Sequence, residues 1–64
     1  LLNILTEKQR EIMTTAHMNG YYDYPKKTNS QQLAEKANIS KATFVQHLRK
    51  AESRLMDELF FGRS

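Results

Sequence analysis

Three side chains that can open helices divide this chain. Thr6, Asn29 and Ser40 each stand just before a run of apolar residues at helical spacing, and each offers an oxygen to the backbone N–H groups of a first helical turn. Gly20 and Asn38 separate the runs, and these two residue types tolerate left-handed backbone best. Thr6 and Gln9 form a T-x-x-Q capping box, and Ile12, Met13 and Ala16 then give the stripe of a helix over residues 7–19, with Ile4 and Leu5 as its leading apolar flank. Asn29, with Gln32 as box partner, opens a second helix over residues 30–37. Its inward stripe is Leu33 and Ala37, flanked by Ala34. Ser40 opens a third over residues 41–60, a span free of Pro and Gly.

Between the second and third helices lie only Asn38, Ile39 and Ser40. Asn38 can adopt the left-handed conformation, and Ile39 reads as an apolar plug under a tight turn. A helix, a three-residue turn and a second capped helix make a helix-turn-helix. The expected fold is therefore all-α: a three-helix bundle with a helix-turn-helix and a long third helix. Residues 1–64 are read as one such domain.

Length sets limits on how this fold is held together. A domain of 64 residues buries roughly 60% of its unfolded surface and is marginal alone. With no Cys, neither disulfides nor thiolate metal sites can reinforce it. Absent Cys, and the lack of a signal-peptide pattern, point to the cytoplasm. No apolar run approaches membrane-spanning length. The chain starts with Leu rather than Met, so it reads as a fragment of a longer protein or a processed form.

Charge is distributed unevenly. Residues 26–54 hold seven bases (Lys26, Lys27, Lys36, Lys41, Arg49, Lys50, Arg54) against two acids (Glu35, Glu52), a net of +5. The remainder holds three bases (Lys8, Arg10, Arg63) against five acids (Glu7, Glu11, Asp23, Asp57, Glu58), a net of −2. A localised basic half is the footprint of a binder of phosphate backbones. The competing reading is a solvated surface with chance asymmetry.

The third helix discriminates further. At about 100° per residue, Phe44, Leu48, Ala51 and Leu55 share one apolar stripe about 60° wide, which must face the bundle. Ala42, Val45, Gln46, Arg49 and Ser53 face away and include no acid. Arg can pair bidentately with guanine, Gln with adenine, and Ala or Val can meet a thymine methyl. Ala42, Val45, Gln46 and Arg49 are therefore the candidate base contacts. Ser40, Lys41 and Thr43 sit where a helix N-terminus can hold a phosphate, with Lys50 and Arg54 on the flanks and Lys26 and Lys27 in the connection. The expected partner is double-stranded DNA. A protein-interaction module, docking another regulator or a polymerase, is the alternative.

Other features support plainer readings. Tyr21, Tyr22 and Tyr24 beside the two lysines resemble a stacking platform for bases, but tyrosines at a helix end are more often lids on a core with their hydroxyls in water. His17 and His47 have no Cys beside them, and His47, at the edge of the buried stripe, reads as a packed histidine rather than a metal ligand. No acid–base pair or phosphate loop appears, so an enzyme, a cofactor or a small-molecule substrate is not expected. Leu55, Glu58 and Leu59 continue the inward side of the third helix. Met56, Leu59, Phe60 and Phe61 are an expected interface at its tail, for a homodimer or an upstream sensory domain, because Phe60 and Phe61 cannot both be buried in so small a core.

Residues 5–55 resemble the DNA-binding domain of the archaeal bacterio-opsin activator type. The resemblance is carried by Leu5, Thr6, Gln9, Gly20, Tyr21, Pro25, Leu33, Ala34, Ile39, Ser40, Thr43, His47, Leu48, Ala51 and Leu55. The second half is more distantly similar to the helix-turn-helix of the LuxR type and of sigma-factor region four. The resemblance implies sequence-specific DNA binding by an archaeal transcriptional regulator on the nucleoid. It implies base contacts at Val45, Gln46 and Arg49 and phosphate contacts at Lys41 and Thr43. Two residues depart from the family pattern: Asn38 stands where Gly is usual, and Phe44 where a β-branched residue is usual.

Overall fold

The structure is a computed structural model and describes residues 2–62. A single 3-10 turn, Leu2–Ile4, leads into three helices: α1, Glu7–Met18; α2, Ser30–Ala37; and α3, Lys41–Phe61. The all-α expectation with a long third helix is borne out. At about 1.5 Å per residue the 21 residues of α3 extend roughly 31 Å, so this helix sets the 33 Å long dimension of the molecule.

Each helix begins where its cap stands. Thr6 Oγ1 accepts from the Gln9 N–H and Gln9 Oε1 accepts from the Thr6 N–H, both at 3.1 Å, which closes the capping box. Gln9 is thereby buried with its carbonyl satisfied. At α2 the box is only half made. Asn29 Oδ1 accepts from the Gln32 N–H at 2.9 Å, but the Gln32 side chain accepts the Thr28 hydroxyl at 3.0 Å instead of returning to the cap. Ser40 Oγ accepts from the Thr43 N–H at 3.1 Å.

The two stops work in the same way. Gly20 has φ +87°, the Tyr21 N–H reaches the Ala16 carbonyl and the Gly20 N–H reaches that of His17, a Schellman closure of α1. Helix α1 ends at Met18, one residue short of expectation, because Asn19 turns its Nδ2 back to the Thr15 carbonyl at 2.7 Å. After α2, Asn38 takes φ 60° and ψ 40°. Ile39 N–H bonds to Ala34 O and Asn38 N–H to Glu35 O, the same paired closure without a glycine.

The core is small and central. Ile12 and Ala16 of α1, Leu33 and Ala34 of α2, and Phe44 and Leu48 of α3 are buried together, with Met13, Tyr21, Ala37 and Ile39 packed around them. Alanines at 16 and 34 leave the volume that Phe44 fills, which is how the bundle accommodates a ring on this stripe. Helix α1 and α2 both pack on α3. The last fully buried residue of α3 is Ala51, and Leu55 is half-buried. Leu59 was expected to face inward, yet it is 62% exposed, because it lies about two turns beyond Ala51, the last fully buried residue of α3.

Candidate nucleic-acid interface

The start of α3 is held from behind by its own buried side chains. Phe44 and Leu48 lie in the core, so the residues on the opposite side of the helix are turned outward, while Val45 and His47 are half-buried. Ala42, Gln46 and Arg49 are exposed. Val45, expected to face away, is only half-buried, so its methyl groups line the seam between core and surface. Among the described residues the side chains of Gln46 and Arg49 have no hydrogen-bond or ion-pair partner, and the same holds for Lys41 and Lys50. Free donors on a fixed helix face are what groove recognition requires.

The cap of α3 arranges a second set of donors. Ser40 Oγ donates to Thr43 Oγ1 at 2.9 Å while accepting the Thr43 N–H. The serine hydroxyl is therefore committed to the cap, and the Thr43 hydroxyl, having accepted, keeps its own proton to donate outward. The N–H groups of Lys41 and Ala42 lie in the first turn, beyond the reach of intrahelical acceptors. With the Lys41 ammonium they form a cationic helix end suited to one phosphate.

The flanking cations differ in how free they are. Lys50 is exposed. Arg54 Nη1 donates to the Ile4 carbonyl at 3.2 Å, which ties the chain start to α3 and leaves the other guanidinium N–H groups available. Lys26 Nζ stands 4.1 Å over the Tyr21 ring, and Lys27 pairs with Asp23 at 3.6 Å on the surface, where such a pair contributes little.

The three tyrosines have three different environments. Tyr21 is half-buried as a lid on the core, in the manner expected. Tyr22 stacks edge-on against it at 5.1 Å and donates its hydroxyl to Glu52 of α3 rather than to water. Partial burial of the phenol, then the hydrogen bond to Glu52 and the charges of Glu52 and Tyr21, push its pKa well above the ordinary phenol value, so it stays a donor at neutral pH. Tyr24 is fully exposed. The contact between residues 22 and 52 carries no signal in the local sequence pattern, because it joins positions thirty apart.

At the far end of α3, Met56, Leu59, Phe60 and Phe61 are 51%, 62%, 73% and 68% exposed. Met56, Leu59 and Phe60 fall within about 100° of one another around the helix, whereas Phe61 lies on another side. Two concavities lie away from the α3 reading face. One is polar, lined by Asn19, Lys27, Thr28, Gln32, Glu35 and Lys36, and the other apolar, lined by Leu5, Arg10, Met13, Thr14 and His17. Among the described residues no group of three or more His, Cys, Asp or Glu side chains is placed to hold a metal, and no helix is long and apolar enough to cross a membrane.

Comparison with known proteins gives a consistent answer. Residues 5–57 match the family described as "HTH DNA binding domain". The chain is 40% identical over 55 residues to "Transcriptional regulator NarO" of Haloferax volcanii, covering 86% of this chain and 26% of that protein. It is 41% identical over 59 residues to "Dimethyl sulfoxide reductase transcriptional activator" of the same organism, covering 92% and 28%. To "Bacterioopsin transcriptional activator" of Halobacterium salinarum it is 35% identical over 60 residues, covering 94% and 9%. The chain thus spans about a quarter of the length of the first two and about a tenth of the third. No solved structure matches it significantly.

Proposed function

The chain belongs to the helix-turn-helix DNA-binding domain family, and we propose that it reads duplex DNA as the DNA-contacting part of an archaeal transcriptional regulator. In this reading α3 enters the major groove N-terminus first. Arg49 and Gln46 address base edges, Ala42 and Val45 meet methyl groups, and Lys41, Thr43, Lys50, Arg54, Lys26 and Lys27 contact phosphates, with Ser40 acting through the cap. The observation that carries it is the exposed, acid-free face of Ala42, Gln46 and Arg49 directly behind a buried Phe44–Leu48 stripe. The residues bind rather than turn over a substrate, and a DNA ligand implies the cytoplasm and its nucleoid.

The expected outcome is specific. Once a preferred site has been selected from random duplex DNA, Arg49→Ala and Gln46→Ala should each lose on the order of 1–3 kcal/mol there and discriminate less between sites. Lys41→Ala should weaken all sequences about equally. Fluorescence anisotropy on selected and scrambled duplexes checks both. An Arg49→Ala protein with unchanged preference would rule out this docking.

The tail of α3 suggests two copies on one operator. Met56, Leu59 and Phe60 together offer exposed apolar surface on the order of 400 Å² per copy. Two such faces meeting about a two-fold axis would bury roughly 800 Å², below the ~1,200 Å² at which stable specific interfaces begin, so pairing would be weak in free solution and would need DNA to reinforce it. Half-sites would then lie about one helical turn apart, on the order of 34 Å. Sedimentation at high concentration should show the mass rising above that of one chain, and Phe60→Ser should abolish the rise. A strict monomer both free and on a two-site duplex would reject the homodimer.

A further inference from the structure

The segment between α1 and α2 is a fastened loop rather than slack chain. Its neck is closed where the Lys27 and Asp23 N–H groups both donate to the Gly20 carbonyl, at 3.0 and 3.2 Å. The two strands of the neck touch so closely that a Cβ at residue 20 would stand 2.7 Å from Lys27 Cβ, and residue 20 has φ +87° as well, so only glycine fits. Inside the loop, Tyr21 anchors on the core, Tyr22 packs edge-on against it, and the Lys26 ammonium is held over the Tyr21 face. At the tip, Tyr24 is fully exposed and has no partner among the described residues. A large amphipathic side chain presented this way on a rigid support has area and a donor ready for a ligand.

One side-chain bond ties the loop to α3. Tyr22 donates to Glu52, the first acid along α3. Glu52 lies one turn after Arg49, at the seam between the buried stripe and the reading face. It is also seven residues, about 10 Å of helix axis, beyond Val45. The major groove is about 12 Å wide and 8.5 Å deep, so a helix that enters it N-terminus first passes a strand of backbone after two or three turns. With α3 docked in that way, the loop would stand at the lip of the groove.

We propose that the loop spanning residues 20–27 is a second DNA-contacting element, in which Tyr24 donates its hydroxyl to a backbone phosphate beside the groove that α3 enters, with Lys26 and Lys27 alongside it. Tyr22 is the positioning residue. Its hydroxyl braces the loop against α3. It also occupies the Glu52 carboxylate, which at i+3 would otherwise pair with Arg49 and blunt its reading of bases. The inference rests on the proposed DNA reading of α3 and adds a contact that helix periodicity cannot reveal.

The test measures affinity for a selected duplex and for random duplex across a salt series, with thermal midpoints recorded for each variant. Tyr24→Phe removes one oxygen from a fully exposed side chain and should leave the midpoint unchanged. It should weaken both duplexes alike, about three- to tenfold. Tyr22→Phe should weaken binding several-fold, make the salt dependence shallower, and reduce discrimination between the two duplexes. A purely structural tyrosine would shift the midpoint and leave the salt slope alone. Wild-type affinity in Tyr24→Phe, with an unchanged slope in Tyr22→Phe and a normal loss of preference in Arg49→Ala, would overturn the loop contact and leave the α3 reading standing. Failure of the unaltered protein to bind either duplex would overturn both.

Discussion

Phe44→Ala is expected to leave the protein largely unfolded at 25 °C. Phe44 is completely buried and is the largest of the fully buried side chains. It projects from α3 into the space bounded by Ile12, Ala16, Leu33 and Ala34, so it touches all three helices. Removing a buried phenyl ring costs about 3–5 kcal/mol, part from lost transfer energy and part from the cavity left behind. At roughly 0.05–0.15 kcal/mol per residue, a chain of this length has only about 3–10 kcal/mol in total. The loss therefore approaches the whole stability. Two short helices cannot close over the gap, since α2 has only eight residues and would not persist unsupported. Circular dichroism should show a diminished helical signal and no cooperative thermal transition. A retained transition within a few degrees of the parent would mean that the ring is not the centre of the core. DNA binding should vanish with the fold, because the same stripe orients Gln46 and Arg49.

The second large effect is ionic. Five cations stand around the proposed interface: Lys26, Lys27, Lys41, Lys50 and Arg54. If each neutralises a phosphate, log affinity should fall against log salt with a slope of roughly −4 to −5. Between 50 and 200 mM salt that amounts to a loss of several hundredfold in binding constant. The existing contacts of these side chains do not remove them from the count. Lys27 faces Asp23 across a water-exposed 3.6 Å, and Arg54 spends one nitrogen on the Ile4 carbonyl. Titrations of random duplex at several salt concentrations measure the slope directly. A slope shallower than about −2 would place the basic half elsewhere than on the backbone. Undetectable affinity at low salt would favour a protein-docking role instead.

Local chemistry made most of the fold readable in advance. Thr6, Asn29 and Ser40 act through their own side chains on N–H groups three residues away, so their effect is written within a few letters of sequence. The stripe of Phe44 and Leu48 obeys the helix period, and Asn38 takes its left-handed turn without help from elsewhere. What escaped depends on residues distant in sequence. Gln32 chose Thr28 over its cap, Arg54 found a carbonyl fifty positions earlier, and Tyr22 found Glu52 across the bundle. Leu59 has the right period for burial, but a period does not say where the buried stripe stops. The candidate site follows the same division. A wheel separates Gln46 and Arg49 from the core, yet only packing explains why Val45 is half-covered and how a loop comes to be tied to Glu52.

Asn38 has a consequence on both sides of the folding equilibrium. Glycine would adopt its φ of 60° with less strain, but would give the unfolded chain many more conformations to lose. Asparagine keeps that ensemble narrower while still admitting the turn. In the folded chain the joint between α2 and α3 is held by the bonds from the Asn38 and Ile39 N–H groups to the Glu35 and Ala34 carbonyls. Docking then freezes few backbone torsions at this joint, so less of the contact energy is consumed in ordering the protein.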